Sequence, residues 1–277
     1  MISAIIFSKD RAMQTDLLLR SMQKNCGDLF SEIIVYYTSS EEEYQAGYNK
    51  LASSRPEVRF VKEVSFRDDV LALIAGMKNE FVCALSDDCI VFRDVTHKIN
   101  KITNLLNSLE YVYSFIFGLG RECVYSGTLR KFFVQPPFVE HDELILWRWK
   151  EADLGEFSCP YMLAGNIYRK HQYLYHLQQV SFSNPSYMEE GLQITWQNHR
   201  KGEMLDFCAS FPEQILVHSH NNRVQHIYCN PAGIEFGHEP RFLNTMYLTG
   251  HVVDLDNLAF VGINGLHKEI NLTFRPE

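Results

Sequence analysis

Short runs of consecutive apolar residues alternate along the first half of the chain with longer stretches whose apolar residues recur every three or four positions. SAIIFS (3–8), EIIVYYT (32–38), VRFVKE (58–63), FVCALS (81–86) and YVYSFIF (111–117) are rich in β-branched and aromatic residues, and their pattern predicts strands. Between them DRAMQTDLLLRSMQKN places Met13, Leu17, Leu18 and Met22 at helical spacing, with Asp10 as its expected N-cap. SEEEYQAGYNKLAS, capped by Ser39 or Ser40, FRDDVLALIAGM and HKINKITNLLNSLE predict three further helices. Strands joined by helices imply crossover connections and a largely parallel sheet covered on both faces. Ligands of such sheets bind beyond the carboxyl ends of the strands. Ser8 to Arg11 and Ser86 to Asp88 fall at two such ends.

The second half is less regular. A loop leads to a strand near 144–149, where Trp147 and Trp149 read as core. YMLAGNIYRKHQYLYHLQQV predicts a short strand, a Gly165-Asn166 turn and a helix. PSYMEEGLQITWQNHRKG (185–202) predicts a helix with early glutamates and a terminal Gly202, and EQILVHSH a strand running into a loop. From residue 226 the pattern is turn-rich. The expected organisation is one domain over 1–225, halved at 117/118, with an extension over 226–277.

Composition narrows the function classes. At 277 residues, 46% hydrophobic and 22% charged, the chain is long enough for one large domain or two small ones. Its net charge of −8 argues against general nucleic-acid binding. Seven scattered cysteines without a CxxC pair suit a reducing compartment. No stretch approaches the ~20 apolar residues that span a bilayer, and MISAIIFSKDR lacks a signal-peptide design. The expected location is cytoplasmic, at most peripheral to a membrane.

The feature that needs explaining is Asp87-Asp88 within FVCALSDDCIVFRD. Adjacent carboxylates between apolar runs repel unless a cation meets them. Either the pair is a solvated turn, or it holds Mg²⁺ or Mn²⁺ against a phosphate-bearing ligand. With its hydrophobic run, acidic pair and hydrophobic continuation, ALSDDCI resembles the acidic strand-end motif of GT-A glycosyltransferases, above all the family-2-like group. The opening ISAIIFSKDRAMQTDLLLRSM is similar to that family's first strand and helix. Glu189-Glu190 followed by HRKG (199–202) follows the layout of its acceptor-side helix, and LVHSHNNRVQ supplies late histidines.

The resemblance implies an α/β fold of the GT-A (nucleotide-diphospho-sugar transferase) type, a three-layer α/β/α sandwich with a mostly parallel central sheet. It implies a hexosyltransferase-type glycosyltransferase moving a sugar from a UDP- or GDP-linked donor to a glycan or other hydroxyl acceptor, with inversion and with Mn²⁺ or Mg²⁺. Asp88, with His218 or His220, is the implied metal site. Ser8, Lys9, Asp10, Arg11, Ser86, Asp87 and Arg223 are the implied nucleotide contacts, and Asn166 the acceptor contact. Glu190, with Glu189 as the alternative, is the implied base. Two departures stand out: Ser86 occupies the first acidic position, and YYTSS lacks the aspartate many relatives carry for the base. Two rivals stay open, a sugar nucleotidyltransferase and a GT-A-like module that has lost catalysis and serves binding or assembly.

Overall fold

The computed structural model describes residues 1–153, 155–198, 206–225, 227–228 and 231–277. HRKG at 199–202 lies outside them. The first half runs β1 (Ile2–Lys9), α1 (Ala12–Cys26), β2 (Phe30–Thr38), α2 (Glu42–Ser54), β3 (Arg59–Lys62), α3 (Phe66–Gly76), β4 (Phe81–Ser86), β5 (Cys89–Val91), α4 (Ile99–Ser108) and β6 (Val112–Ile116). The second half continues with β7 (Tyr125–Ser126), β8 (Lys131–Phe132), β9 (Val139–His141), β10 (Leu144–Arg148), β11 (Ala164–Arg169), α5 (Lys170–Gln178), α6 (Pro185–Asn198), β12 (Phe207–Ser210) and β13 (Leu216–Ser219). It closes with α7 (Pro240–Leu248), β14 (His251–Val253), β15 (His267–Lys268) and β16 (Phe274–Pro276).

Among the described residues the main sheet has nine strands in the order β3-β2-β1-β4-β11-β6-β12-β10-β9. The first four are mutually parallel, as strands joined by helical crossovers must be. β11 enters antiparallel to both β4 and β6, and the sheet beyond it is mixed. β1 explains its own unbroken hydrophobicity. Ile2, Ala4 and Ile6 pack with Met13, Leu17, Leu18 and Leu51 on one face, while Ile5 and Phe7 pack with Phe66, Val70 and Ile74 on the other. A strand buried on both faces has no position left for a polar residue until it ends.

Chain direction reverses at β1. The crossover through α1 leads outward to β2, whereas the crossover through α3 returns to β4 on the other side of β1. The carboxyl ends of β1 and β4 therefore meet at the switch point of the sheet, where a cleft opens. Asp87 and Asp88 form the step between β4 and β5, and β5 belongs to a separate sheet ordered β15-β13-β5. The segment after 225 packs into the main core through Leu243, Tyr247, Val252 and Leu272, and its β15 pairs with β13.

Three local readings change, the simplest being that α2 starts from Glu41, with no side-chain cap from Ser39 or Ser40. The Gly165-Asn166 turn is a bulge inside β11, where the register shifts between Ala164 and Asn166. Gly165 has φ +74°, and a Cβ there would lie 2.9 Å from Phe117 Cβ and 3.1 Å from Leu216 Cδ1. Gly165→Ala is expected to destabilise the protein by about 1–3 kcal/mol in a denaturant titration; a loss under about 0.5 kcal/mol would show that the bulge relaxes freely. Asp10 does not cap α1 by side chain. It sits at φ +55°, a region Asp tolerates, and its carboxylate accepts from the Ser40 amide (2.7 Å) and hydroxyl (2.9 Å). Trp147 and Trp149 are fully buried, as expected.

Candidate functional site

The cleft at the switch point has a volume of about 1030 Å³. Of the residues expected at a site, all but Asp10 and Asn166 line it. Asp10 is buried in the ties just described. Asn166 is fully buried in β11, where its Nδ2 donates to the Pro160 carbonyl.

Parallel pairing sets the floor of the cleft. Phe7 and Ser86 are in register, and the Asp87 amide donates to the Phe7 carbonyl at 3.1 Å, so Ser8 and Asp87 emerge side by side. The Ser8 hydroxyl donates to Asp87 Oδ2 at 2.9 Å, and the Lys9 amide does so at 3.1 Å. Arg11 answers the question posed by the two carboxylates. Its Nη1 lies 2.9 Å from Asp87 Oδ1 and 3.3 Å from Asp88 Oδ2. Its Nε and Nη2 donate to the Asn222 side chain and carbonyl at 2.8 and 2.7 Å. One buried guanidinium thus ties the ends of β1 and β4 to the segment after β13.

Burial works against both carboxyl groups, and the outcome divides them. Burial raises the Asp87 pKa against the opposing pull of Arg11, and the neighbouring Asp88 charge adds to the rise. Asp88 is also penalised by burial, but Arg11, His218 and His220 outweigh it and hold the carboxyl below the usual range. Burial lowers the Arg11 pKa, and the two aspartates more than restore it. Ser86, the residue in place of an acid, donates its hydroxyl to Asp88 Oδ1 at 2.6 Å. It orients the aspartate instead of adding charge.

The opposite wall comes from α6. Glu189 is half-buried, and its Oε1 accepts the Leu163 amide at 2.7 Å. Burial pushes its pKa up to about 7; the Leu163 hydrogen bond opposes the rise and Asp88 adds to it. Glu190 is exposed at the cleft and pairs with the Tyr228 hydroxyl, whose pKa is pushed up to about 12 by burial and then by that carboxylate. The side chain of Gln193 donates to the Ser158 carbonyl at 2.9 Å, and its Oε1 is buried without a partner. Lys9 and Arg223 are exposed at the cleft.

Histidines form a third wall. β13 carries His218 and leads directly to His220, and the β13–β15 register sets His218 beside His267. One ring nitrogen from each of the three lies within 4.8 Å of the other two, and Asp88, Cys89 and His218 form a second such group. Burial drives His220 and His267 down to about 3, with His267 and His218 respectively as the next cause, and it also lowers His218 against the pull of Asp88. Neutral imidazoles are the metal-binding form. The donor set fits a divalent transition metal. Asp88 alone fits one less well, since both of its oxygens already have partners within the chain.

Several cleft residues escaped the sequence reading. His267 stands in a region without periodicity, and only its strand pairing brings it to β13. Glu156, 5% exposed, comes from a single 3₁₀ turn and accepts the Ser126 hydroxyl at 2.8 Å. Phe7, Tyr36 and Phe66 form an aromatic cluster at the far end, with Glu63 beside it; burial, then Asp69, raises the Glu63 pKa. Those aromatics read as ordinary core, and nothing in their spacing says otherwise.

No family model matches the chain. Over 184 residues it is 28% identical to the bifunctional glycosyltransferase pgtA of Dictyostelium discoideum, which covers 61% of this chain and 24% of that protein. The chain therefore spans about a quarter of that relative's length. In structure it is similar to S. aureus TarS, at 10% identity over 78% of this chain and 59% of the other, with a TM-score of 0.46. It is also similar to glucosyl-3-phosphoglycerate synthase of Mycobacterium tuberculosis, at 14% identity over 80% and 72%, with a TM-score of 0.45. The mannosyltransferase PcManGT of Pyrobaculum calidifontis, in complex with GDP-Man and Mn²⁺, is similar at 12% identity over 68% and 50%, with a TM-score of 0.41. Among the described residues no helix is long and apolar enough to cross a membrane. The chain has a mixed α/β fold with a parallel β3-β2-β1-β4 unit, an antiparallel β11 beside it and an acidic pair at the end of β4, the features expected of a GT-A-type fold, and in sequence it is similar to a glycosyltransferase.

Proposed function

We propose that the protein transfers a sugar from a nucleotide-diphosphate donor to a hydroxyl acceptor, with inversion. The observation that carries this reading is one cleft lined both by a metal-competent set, Asp88 with the histidines, and by the half-buried Glu189, whose pKa burial raises to about 7. The aromatic end formed by Phe7, Tyr36 and Phe66 suits a nucleobase, with Glu63 as a hydrogen-bond acceptor for its amino or imino groups. Lys9, Lys131 and Arg223 line the cleft as cations that would meet the diphosphate, and Arg11 stays with the aspartates.

In this reading Glu189 is the base, in preference to the exposed Glu190. It takes the acceptor proton as the hydroxyl oxygen bonds to the anomeric carbon. The bond from that carbon to the diphosphate oxygen breaks on the opposite face, and the nucleoside diphosphate leaves with the electron pair. A divalent ion held by the histidines His218 and His220, with Asp88 beside them, would supply positive charge to the leaving diphosphate. Gln193, with its unpartnered Oε1, takes the acceptor-side role expected of Asn166.

The test is a transfer and donor-hydrolysis assay with UDP- and GDP-sugars in Mn²⁺ and in Mg²⁺. Asp88→Asn is expected to lower kcat/KM at least about 100-fold, the scale of a lost transition-state electrostatic contact; full activity in that variant removes Asp88 from the mechanism. One observation favours the rival reading of a non-catalytic module: Asp88 is engaged on both oxygens by Arg11 and Ser86. Thermal-shift screening separates the two. Stabilisation by a nucleotide sugar supports the transferase, and none with any donor, with or without Mn²⁺, supports the module.

A further inference from the structure

The three histidines and Glu156 make a more complete metal site than the acidic pair. His218 and His220 lie on and just beyond β13, whereas His267 arrives from β15, 47 positions further along the chain than His220. Three imidazoles with nitrogens inside 4.8 Å of one another cannot all satisfy those nitrogens among themselves, because neutral rings each offer one donor and one acceptor. His218 uses Nε2 on the Leu163 carbonyl at 3.2 Å, which leaves its other nitrogen to the cluster. His267 Nδ1 is buried without a hydrogen bond, 3.4 Å from Glu156 Oε1, and Glu156 Oε2 is likewise buried without a partner. Buried polar atoms left unpaired in this way are uncommon, and here they set a carboxylate against one ring nitrogen of His267.

We propose that His218, His220 and His267 form a three-nitrogen site for a divalent transition metal, with Glu156 as the positioning residue behind His267. A carboxylate on the second nitrogen of a ligating histidine fixes its tautomer and orientation. Three imidazoles suit Zn²⁺, for which Co²⁺ is a spectroscopic stand-in, and discriminate against Mg²⁺, which prefers oxygen ligands and retains its water. The segment after 225 thereby completes the cleft by contributing a ligand. Whether the ion serves sugar transfer rests on the reading above, but its binding does not.

The probe is Co²⁺ added to protein stripped with a chelator and dialysed, with visible absorption followed in the absence of any nucleotide. The expected result is saturation at one equivalent, with nitrogen-ligand d–d bands that millimolar Mg²⁺ leaves unchanged. His267→Ala is expected to weaken binding at least tenfold. Glu156→Gln, which keeps the size of the side chain, is expected to weaken it about tenfold, in the range found for outer partners of metal ligands. His141→Ala, an exposed histidine on β9 outside the cleft, is expected to bind as the wild type does. The proposal is overturned if wild-type protein takes up no Co²⁺, if Mg²⁺ displaces it, or if a folded His267→Ala or Glu156→Gln variant binds as tightly as wild type. A protein that binds Co²⁺ but transfers no sugar keeps this site and loses the transferase reading; transfer in Mg²⁺ without Co²⁺ binding does the reverse.

Discussion

Replacing Glu189 with Gln is expected to lower the transfer rate roughly 10²–10⁴-fold, as loss of a general base does, and at the same time to raise the melting temperature above pH 7. The second half of this result distinguishes a strained functional carboxylate from a structural one. Burial holds the folded-state pKa of Glu189 at about 7, against ~4.3 for an unperturbed glutamate. Between those values the folded chain keeps a proton that the unfolded chain has released. Stability therefore falls as pH rises through the window from ~4.3 to ~7, and the full penalty is present above it. At about 1.4 kcal/mol per pKa unit the penalty is up to about 4 kcal/mol. Gln carries no charge to desolvate, and its side-chain oxygen can still accept the Leu163 amide. The variant should melt on the order of 10 °C higher at pH 8, given ~2–4 °C per kcal/mol for a domain of this size, and no higher at pH 4. Thermal melts at the two pH values check this, together with a wild-type rate that rises through pH ~7 and then levels. Equal melting temperatures at pH 8 would show that the carboxylate carries no burial penalty. Glu190→Gln is expected to change the rate less than about tenfold, because Glu190 is exposed and its carboxylate is engaged by the Tyr228 hydroxyl.

What the sequence makes legible here follows from how local each signal is. β1, β2 and β4 are buried on both faces, so their apolar runs stand out, and the carboxyl ends of β1 and β4 follow directly from where those runs stop. Asp87-Asp88 is legible for the same reason. Its counter-charge is less so, because Arg11 reads equally as the first residue of a surface helix until β1 and β4 are set side by side. The Gly165 bulge is hidden because a glycine beside an asparagine signals a turn locally, and only pairing with β4 and β6 carries the strand through it. Choosing between Glu189 and Glu190 needs helix phase: one faces Leu163 and the other solvent, a difference of one residue on α6. His267 and Glu156 carry no periodic signal at all. They belong to a two-residue strand and a single 3₁₀ turn, and non-local pairing alone gives them a place.

Arg11→Met is expected to be the most destabilising of these substitutions, by about 3–5 kcal/mol, the usual cost of stranding a buried charge. Removing the guanidinium leaves Asp87, 4% exposed, and Asp88 adjacent to each other without a counter-charge from the chain. It also removes the two hydrogen bonds that hold Asn222. The melting temperature should fall on the order of 10 °C at pH 7.5. The sign of the pH dependence follows from the same electrostatics. Without Arg11 the folded-state pKa values of the pair rise above those of the unfolded chain, so the folded variant binds protons that the unfolded one has lost. Its deficit therefore shrinks as pH is lowered towards the unfolded aspartate value of ~3.9 and grows as pH is raised. Asp87→Asn in the same chain removes one of the two stranded charges while its side-chain oxygen still accepts from Ser8 and the Lys9 amide. The double variant is expected to recover at least ~2 kcal/mol relative to Arg11→Met, a coupling typical of contacting charged groups. Differential scanning calorimetry of the wild type, the two single variants and the double variant measures that coupling directly. If Arg11→Met melts within about 2 °C of wild type in chelator-treated protein, the two carboxylates do not depend on the arginine, and their counter-charge must come from elsewhere in the cleft.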